Sequence, residues 1–181
     1  MVRARRVLEE LKANGVTHVV GLPDNSSAAL LGLLQEDKVV RYVPVTREGE
    51  AFAVAAGLWI GGRAPVVVVQ NTGLFESGDS IRGTVMRMRI PLVCLITYRG
   101  YRNMTGFPLP GDPAAPDAEV LSRAHLDSAA LITEPTLRAW GVPYDFLHGE
   151  GDLPVIARAF RDAAAGDRPY ALLITGDLTG D

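Results

Sequence analysis

Apolar residues recur at helical intervals near the start of the chain, where Val7, Leu8 and Leu11 stand among charged neighbours and Asn14-Gly15 follows. That spacing predicts an amphipathic helix stopped at Gly15. The period then changes. Thr17 to Leu22 is a β-branched run ended by Pro23-Asp24, a strand and a turn, and Ala28, Leu30, Leu31, Leu33 and Leu34 read as a buried helix capped by Asp24 or Asn25. Val39 to Val45 is the next strand. An alanine-rich helix from Arg47 to about Ile60 follows, with Thr46 as its cap and Gly61-Gly62 as its end. Pro65 to Gln70 is a nearly continuous apolar strand, and a run without alternation belongs in a parallel sheet covered on both faces. Asn71-Thr72-Gly73 reads as a loop, about Phe75 to Met88 as a helix, and Leu92 to Thr97 as a strand.

The stretch from Arg99 to Asp117 breaks this alternation with four prolines and three glycines, and reads as a long loop, a feature often tied to function. Helical spacing returns at about Ala118 to Ala124, and again after Thr133 through Trp140, with Gly141 as the stop. Val142 to Leu147 is a short strand, Asp152 and Pro154 open a last helix, and Tyr170 to Thr175 is the last strand. The expected fold is therefore α/β: a three-layer open sheet of about six mostly parallel strands with helices on both faces. In such sheets ligands bind at the carboxyl ends of the strands. Three loops lie there: Pro23 to Ser27, Asn71 to Gly78, and Tyr98 to Asp117.

Composition narrows the classes. With 181 residues the chain is read as a single domain, residues 1–181, and its net charge of −3 provides no overall basic field for nucleic acid or an anionic membrane. No run reaches the 18 apolar residues of a membrane span, and the basic start lacks the apolar core of a signal peptide. The one cysteine, Cys94, can make no disulfide within the chain, so a reducing, cytoplasmic setting is expected; in mid-strand it reads as an inert core thiol. Nucleotide signatures are missing. Gly73 and Gly78 have the outer spacing of a phosphate loop, but Asp79-Ser80 replace its lysine and hydroxyl, and no G-x-G-x-x-G follows the first strand. His18, His125 and His148 are scattered without metal spacing, so no metal ligands are assigned to this chain.

The segment Val45-Thr-Arg-Glu-Gly-Glu-Ala-Phe-Ala-Val-Ala-Ala-Gly-Leu-Trp, followed by Gly62-Arg-Ala-Pro and an apolar strand, resembles the pyrimidine-binding (PYR) domain of thiamine diphosphate enzymes. The family places a glutamate at the start of an alanine-rich helix, nine residues before a glycine, as Glu48 and Gly57 stand here. The resemblance continues through Gly21-Leu-Pro-Asp, Gln70-Asn-Thr-Gly, Tyr98-Arg-Gly, Ile132-Thr-Glu-Pro-Thr-Leu and Gly141-Val-Pro-Tyr, and so covers nearly the whole chain. It is most similar to the alpha subunit of sulfopyruvate decarboxylases and the matching half of phosphonopyruvate decarboxylases.

The resemblance implies a lyase that decarboxylates a small anionic 2-keto acid, first sulfopyruvate to sulfoacetaldehyde and second phosphonopyruvate. Glu48 is then the catalytic carboxyl that keeps N1′ of the cofactor's aminopyrimidine protonated. Glu50 is read as no more than a favourable charge at a helix N-terminus. Pro23, Asn25, Gln70, Asn71, Thr72 and Gly73 are the implied cofactor contacts, and His125 a second catalytic candidate. No Asp or Glu occurs from Ser80 to Gly111, where Arg82, Arg87, Arg89, Arg99 and Arg102 fall; Arg99, at a strand's carboxyl end, is the substrate-binding candidate, and Arg82, Arg87 and Arg89 read as a solvated helix face or a subunit contact. The family holds the diphosphate and Mg²⁺ in a second domain through Gly-Asp-Gly with a downstream asparagine, a pattern not found here. Thiamine diphosphate and Mg²⁺ are therefore expected to be held largely by a separate beta-type subunit carrying that pyrophosphate (PP) domain, with homo-oligomeric contacts as well. The alternatives are a catalytically silent regulatory subunit of the same fold, and an unrelated flavodoxin-like domain binding flavin or nucleotide.

Overall fold

The computed structural model describes residues 1–104 and 117–180. In chain order the elements are β1 (Val2–Arg3), α1 (Ala4–Ala13), β2 (His18–Gly21), α2 (Ala28–Glu36), β3 (Arg41–Pro44), α3 (Glu48–Ile60), β4 (Pro65–Gln70), α4 (Asn71–Glu76) and α5 (Gly78–Ser80). A π-helical turn over Ile81–Met86 leads to β5 (Val93–Thr97) and α6 (Tyr101–Met104). After the segment 105–116 come α7 (Ala118–Leu121), α8 (Ser128–Ala139), β6 (Tyr144–Leu147), α9 (Pro154–Gly166), β7 (Tyr170–Ile174) and β8 (Leu178–Thr179).

Six strands form one sheet in the order β3-β2-β4-β5-β7-β6, every neighbouring pair parallel. This is the expected three-layer α/β architecture. Alternation along β4 explains the layers: Val66 and Val68 face a core shared with Val7 and Leu11 of α1, Leu30 and Leu34 of α2, and Ile156 of α9. Val67 and Val69 face the opposite core with Ala51, Phe52 and Ala55 of α3, Leu74 of α4 and Leu137 of α8. An apolar strand covered on both sides is what its unbroken hydrophobic run requires. Cys94 is buried in the second core, where desolvation pushes its thiol well above the ordinary range, as befits an inert core thiol.

Several local expectations are corrected. Asn71-Thr72-Gly73 is the first turn of α4, and the expected helix from Phe75 to Met88 is three pieces: α4, α5 and the π-helical turn. Gly73 and Gly78 weaken helix propensity locally, but burial of Asn71, Gly73 and Leu74 overrides it. Helix α8 begins at Ser128, well before Thr133, because Asp127 caps it by accepting the Ala130 N–H at 3.1 Å. The interior Pro135 disguises that helix in the sequence. Thr46 does not cap α3; the N-cap position falls on Arg47, and the carboxylate of Glu50 receives the Arg47 N–H at 3.2 Å. Asp24 does organise the turn before α2, accepting the N–H groups of Ser26 and Ser27, while Ser27 holds the N-cap position. The parallel pair β1 and β8 escapes sequence reading, since each strand has two residues. The proline-rich part of the expected long loop lies outside the described residues, and its start, Tyr101–Met104, is the short helix α6. Among the described residues no helix is long and apolar enough to cross a membrane.

Candidate functional site at the carboxyl rim of the sheet

Because β2, β3, β4 and β5 run parallel, the segments that follow them emerge on one rim. Glu48 is there, half-buried, as the first residue of α3. It reaches toward α4: a Cβ at position 73 would stand 2.2 Å from Glu48 Cγ and 2.8 Å from Cδ and Oε1. The Glu48 side chain thus fills the space that any larger residue at position 73 would need.

Two further carboxylates shape the same helix start. Glu76, at the end of α4, accepts the Gly49 N–H at 2.5 Å and Arg47 Nη2 at 2.7 Å. Glu50 accepts the Thr46 hydroxyl at 2.9 Å, the Thr46 N–H at 3.1 Å and the Arg47 N–H. These bonds satisfy donors that a helix N-terminus otherwise leaves open. They also hold both carboxyls below the ordinary carboxylate range, Glu76 chiefly through Arg47 and then Gly49, and Glu50 chiefly through the Thr46 side chain and backbone. Glu50 therefore has the modest helix-start role read from the sequence. A depressed folded-state pKa contributes stability that is present above the unfolded pKa and lost as pH falls through the folded one. Glu50→Gln is accordingly expected to lower the thermal midpoint at neutral pH and to narrow its gap to the wild type on acidification, as checked by melting curves from pH 7 down to 3.

A cleft of about 500 Å³ is lined by Thr72 of α4, Arg99, Asn103, His125 and the first residues of α8. Three candidates from the sequence, Thr72, Arg99 and His125, therefore line one cleft. Arg99 is mostly exposed and sits 3.7 Å from Asp127, whose carboxylate also caps α8. Gly100, at φ +81°, lets the chain turn there: an added Cβ would lie 2.6 Å from the Asp127 carboxyl. His125 is exposed.

Asn71 is fully buried. Its Nδ2 donates to the Arg99 carbonyl and to Thr133 Oγ1, both at 3.1 Å, while its Oδ1 has no partner. Its amide ties α4 to the backbone that carries Arg99 and to α8. Gln70 accepts the Thr72 hydroxyl at 3.0 Å, and both belong to the start of α4. Pro23 and Asn25 are exposed on the β2–α2 turn; Pro23 lines a separate groove along β3, so the structure does not bring it to the cleft wall. Among the described residues no three His, Cys, Asp or Glu side chains converge in a way that fits a metal ion.

Residues 1–113 match the family model of the thiamine pyrophosphate enzymes, N-terminal TPP binding domain. The chain belongs to this family. Among curated thiamine pyrophosphate enzymes, it is 32% identical over 181 residues to a phosphonopyruvate decarboxylase of Streptomyces hygroscopicus, covering all of this chain and 42% of that one. It is 33% identical over 100 residues to the sulfopyruvate decarboxylase subunit alpha of Methanococcus maripaludis, covering 55% of this chain and 60% of that one. The chain thus spans 42% and 60% of the length of these two relatives, less than two thirds of each. A crystal structure of benzoylformate decarboxylase from Polynucleobacter necessarius matches all of this chain and 32% of that one, with a TM-score of 0.70 at 19% identity, which shows the shared fold.

Within this thiamine pyrophosphate enzyme domain, sequence reasoning missed Glu76, Asn103 and Asp127. Asp127-Ser128 before Ala129-Ala130-Leu131 is a readable N-cap signal, hidden only by Pro135. Glu76 carries no such signal, because its partners lie 27 and 29 residues away.

Proposed function

We propose that the chain is the PYR-type part of a thiamine diphosphate-dependent 2-keto acid decarboxylase, converting sulfopyruvate to sulfoacetaldehyde and carbon dioxide. The observation that carries this reading is Glu48: a carboxyl at the first residue of α3, on the ligand-binding rim, in space reserved by Gly73. The geometry fits the pyrimidine half of the cofactor. Bound thiamine diphosphate supplies the electron sink that lets a 2-keto acid lose carbon dioxide. Glu48 holds a proton at N1′ of the aminopyrimidine, and the Glu50 and Glu76 bonds fix the helix start that aims it. Thr72 and Gln70 border the ring. Arg99, its backbone pinned by Asn71, attracts the anionic groups of the substrate, and His125 in the same cleft moves a proton.

The described residues do not fit a magnesium site, so the diphosphate and Mg²⁺ are assigned to a PP-type partner subunit, in keeping with the relatives named as alpha subunits. Helix α3 supports such docking. Val54 and Ile60 are exposed on it, and among the described residues nothing beyond the helix's own backbone lies within 4 Å of where a Cβ at Gly57 would stand. A mid-helix glycine costs about 1 kcal/mol against alanine, which another chain's close approach would offset. Homo-oligomeric contacts and a reducing cytoplasm, suited to the single buried Cys94, complete the reading. Phosphonopyruvate is the alternative substrate, favoured by the full-chain match to the Streptomyces protein.

Titration calorimetry with thiamine diphosphate and Mg²⁺, with and without a PP-type subunit, tests the proposal together with aldehyde formation from each keto acid. Cofactor binding and turnover are expected only in the assembled mixture. Full turnover by the chain alone would exclude the divided site, and absence of cofactor binding in the mixture would exclude the thiamine reading.

A further inference from the structure

A groove of about 1060 Å³ follows β3, the strand at one edge of the sheet, and neither Glu48, Gly73 nor Arg99 lines it. At its amino end, sheet register gathers cations. His18 of β2 is the register partner of Arg41 on one side and of Pro65 on the other, with Arg63 just before Pro65. Thr17 fixes that turn: its N–H donates to the Ala64 carbonyl at 2.9 Å, and its hydroxyl accepts the Ala64 N–H at 3.0 Å. Lys38 adds a third permanent cation to the wall.

No carboxylate balances them. Among the described residues Arg41, Arg63 and Lys38 have no ion-pair partner. The acid in the lining, Asp37, is taken by Lys12 and by the N–H groups of Val39 and Val40. Asp24, which faces Tyr42 from the β2–α2 turn, is spent on Ser26 and Ser27. Burial, and then the two guanidinium groups, hold the His18 ring below the ordinary histidine range, so both arginines act on it. Beside the cations the wall is apolar: Leu58 of α3, whose carbonyl accepts the Arg63 N–H at 2.9 Å, lines the groove on the same face of the sheet.

We propose that this groove is a second ligand site, which takes a phosphorylated small molecule of nucleotide size, its oxyanion on His18, Arg41 and Arg63 and its ring against Leu58. Arginine's fork suits the oxyanion, and a neutral imidazole N–H adds one more donor. Of the cofactor contacts implied by the sequence only Pro23 lines this groove, and neither the oxyanion nor the apolar contact proposed here involves it.

AMP, inorganic phosphate, adenosine and potassium chloride serve as probes of the full chain, with the His18 ring proton signal as readout, assigned by His18→Gln. AMP is expected to give a saturable shift and to raise the His18 midpoint, because the anion offsets the two arginines. Phosphate binds more weakly and adenosine not measurably. Arg41→Ala and Arg63→Ala, at exposed positions, weaken AMP binding at least about tenfold, the loss of one charge-assisted hydrogen bond. Glu48→Gln binds AMP as the wild type does, which separates this result from the fate of the decarboxylase reading. No saturable shift up to about 10 mM AMP overturns the proposal. So does a shift that potassium chloride reproduces at equal ionic strength, AMP binding no tighter than phosphate, or either arginine variant binding as the wild type.

Discussion

Under the proposed function, replacing Glu48 with Gln is expected to lower turnover of the assembled mixture by roughly 10²–10⁴, the range for losing a positioned acid–base group, while the fold persists. The side chain is half-buried at a helix start and packs chiefly against a glycine, so its removal opens no core cavity. The same effect is reachable without touching the carboxyl. In Gly73→Ala the new Cβ would stand 2.2 Å from Glu48 Cγ, and the glutamate, a movable side chain, must yield. Turnover in Gly73→Ala is expected to fall toward that of Glu48→Gln, with circular dichroism and the melting point close to wild type. The double variant should lose little more than either single one, since both act through one group. Steady-state kinetics on the three variants decide the matter. A fully active Gly73→Ala would show that the observed placement of Glu48 does not govern the reaction.

Gly21→Ala is expected to produce the largest loss of stability. Gly21 ends β2 in register with Val68 of β4, and a Cβ there would fall 2.0 Å from the Val68 carbonyl oxygen and 3.0 Å from its carbon. Main chain in the middle of a sheet cannot swing aside as a glutamate can. Gly21 O also accepts the Tyr42 hydroxyl and the Val45 N–H, both at 3.2 Å, so displacing β2 disturbs β3 too. Overpacking typically costs about 1–3 kcal/mol, and this backbone clash belongs at or above the upper end. At roughly 2–4 °C per kcal/mol for a chain of this size, the midpoint should fall by about 10 °C, or the protein should fail to fold. Differential scanning calorimetry is the check, and a midpoint within about 2 °C of wild type contradicts the clash.

The strands and most helices are written locally. β4 is legible because Pro65-Val-Val-Val-Val can be buried on both faces only inside a parallel sheet, and α3 because alanines fill the positions that pack on it. Glu48 is legible through its place at the start of that helix in a known family's motif. The start of α4 is not, since Asn71 and Gly73 favour turns and become helical only because the core buries them. The partners of Asn71 are not legible either: its amide serves the Arg99 carbonyl and Thr133, 28 and 62 residues distant.

By itself, then, the sequence determined the order and kind of the elements, their parallel stacking, the family, and which carboxyl to single out. Periodicity and motif act over a few residues, and these properties are set at that range. Tertiary structure decided which groups meet: Glu48 over Gly73, Glu76 closing the start of α3, Thr72, Arg99 and His125 around one cleft, and His18 between Arg41 and Arg63. Each of these depends on strand order and register, which arise only when the two cores close on the sheet and bring distant segments of the chain side by side.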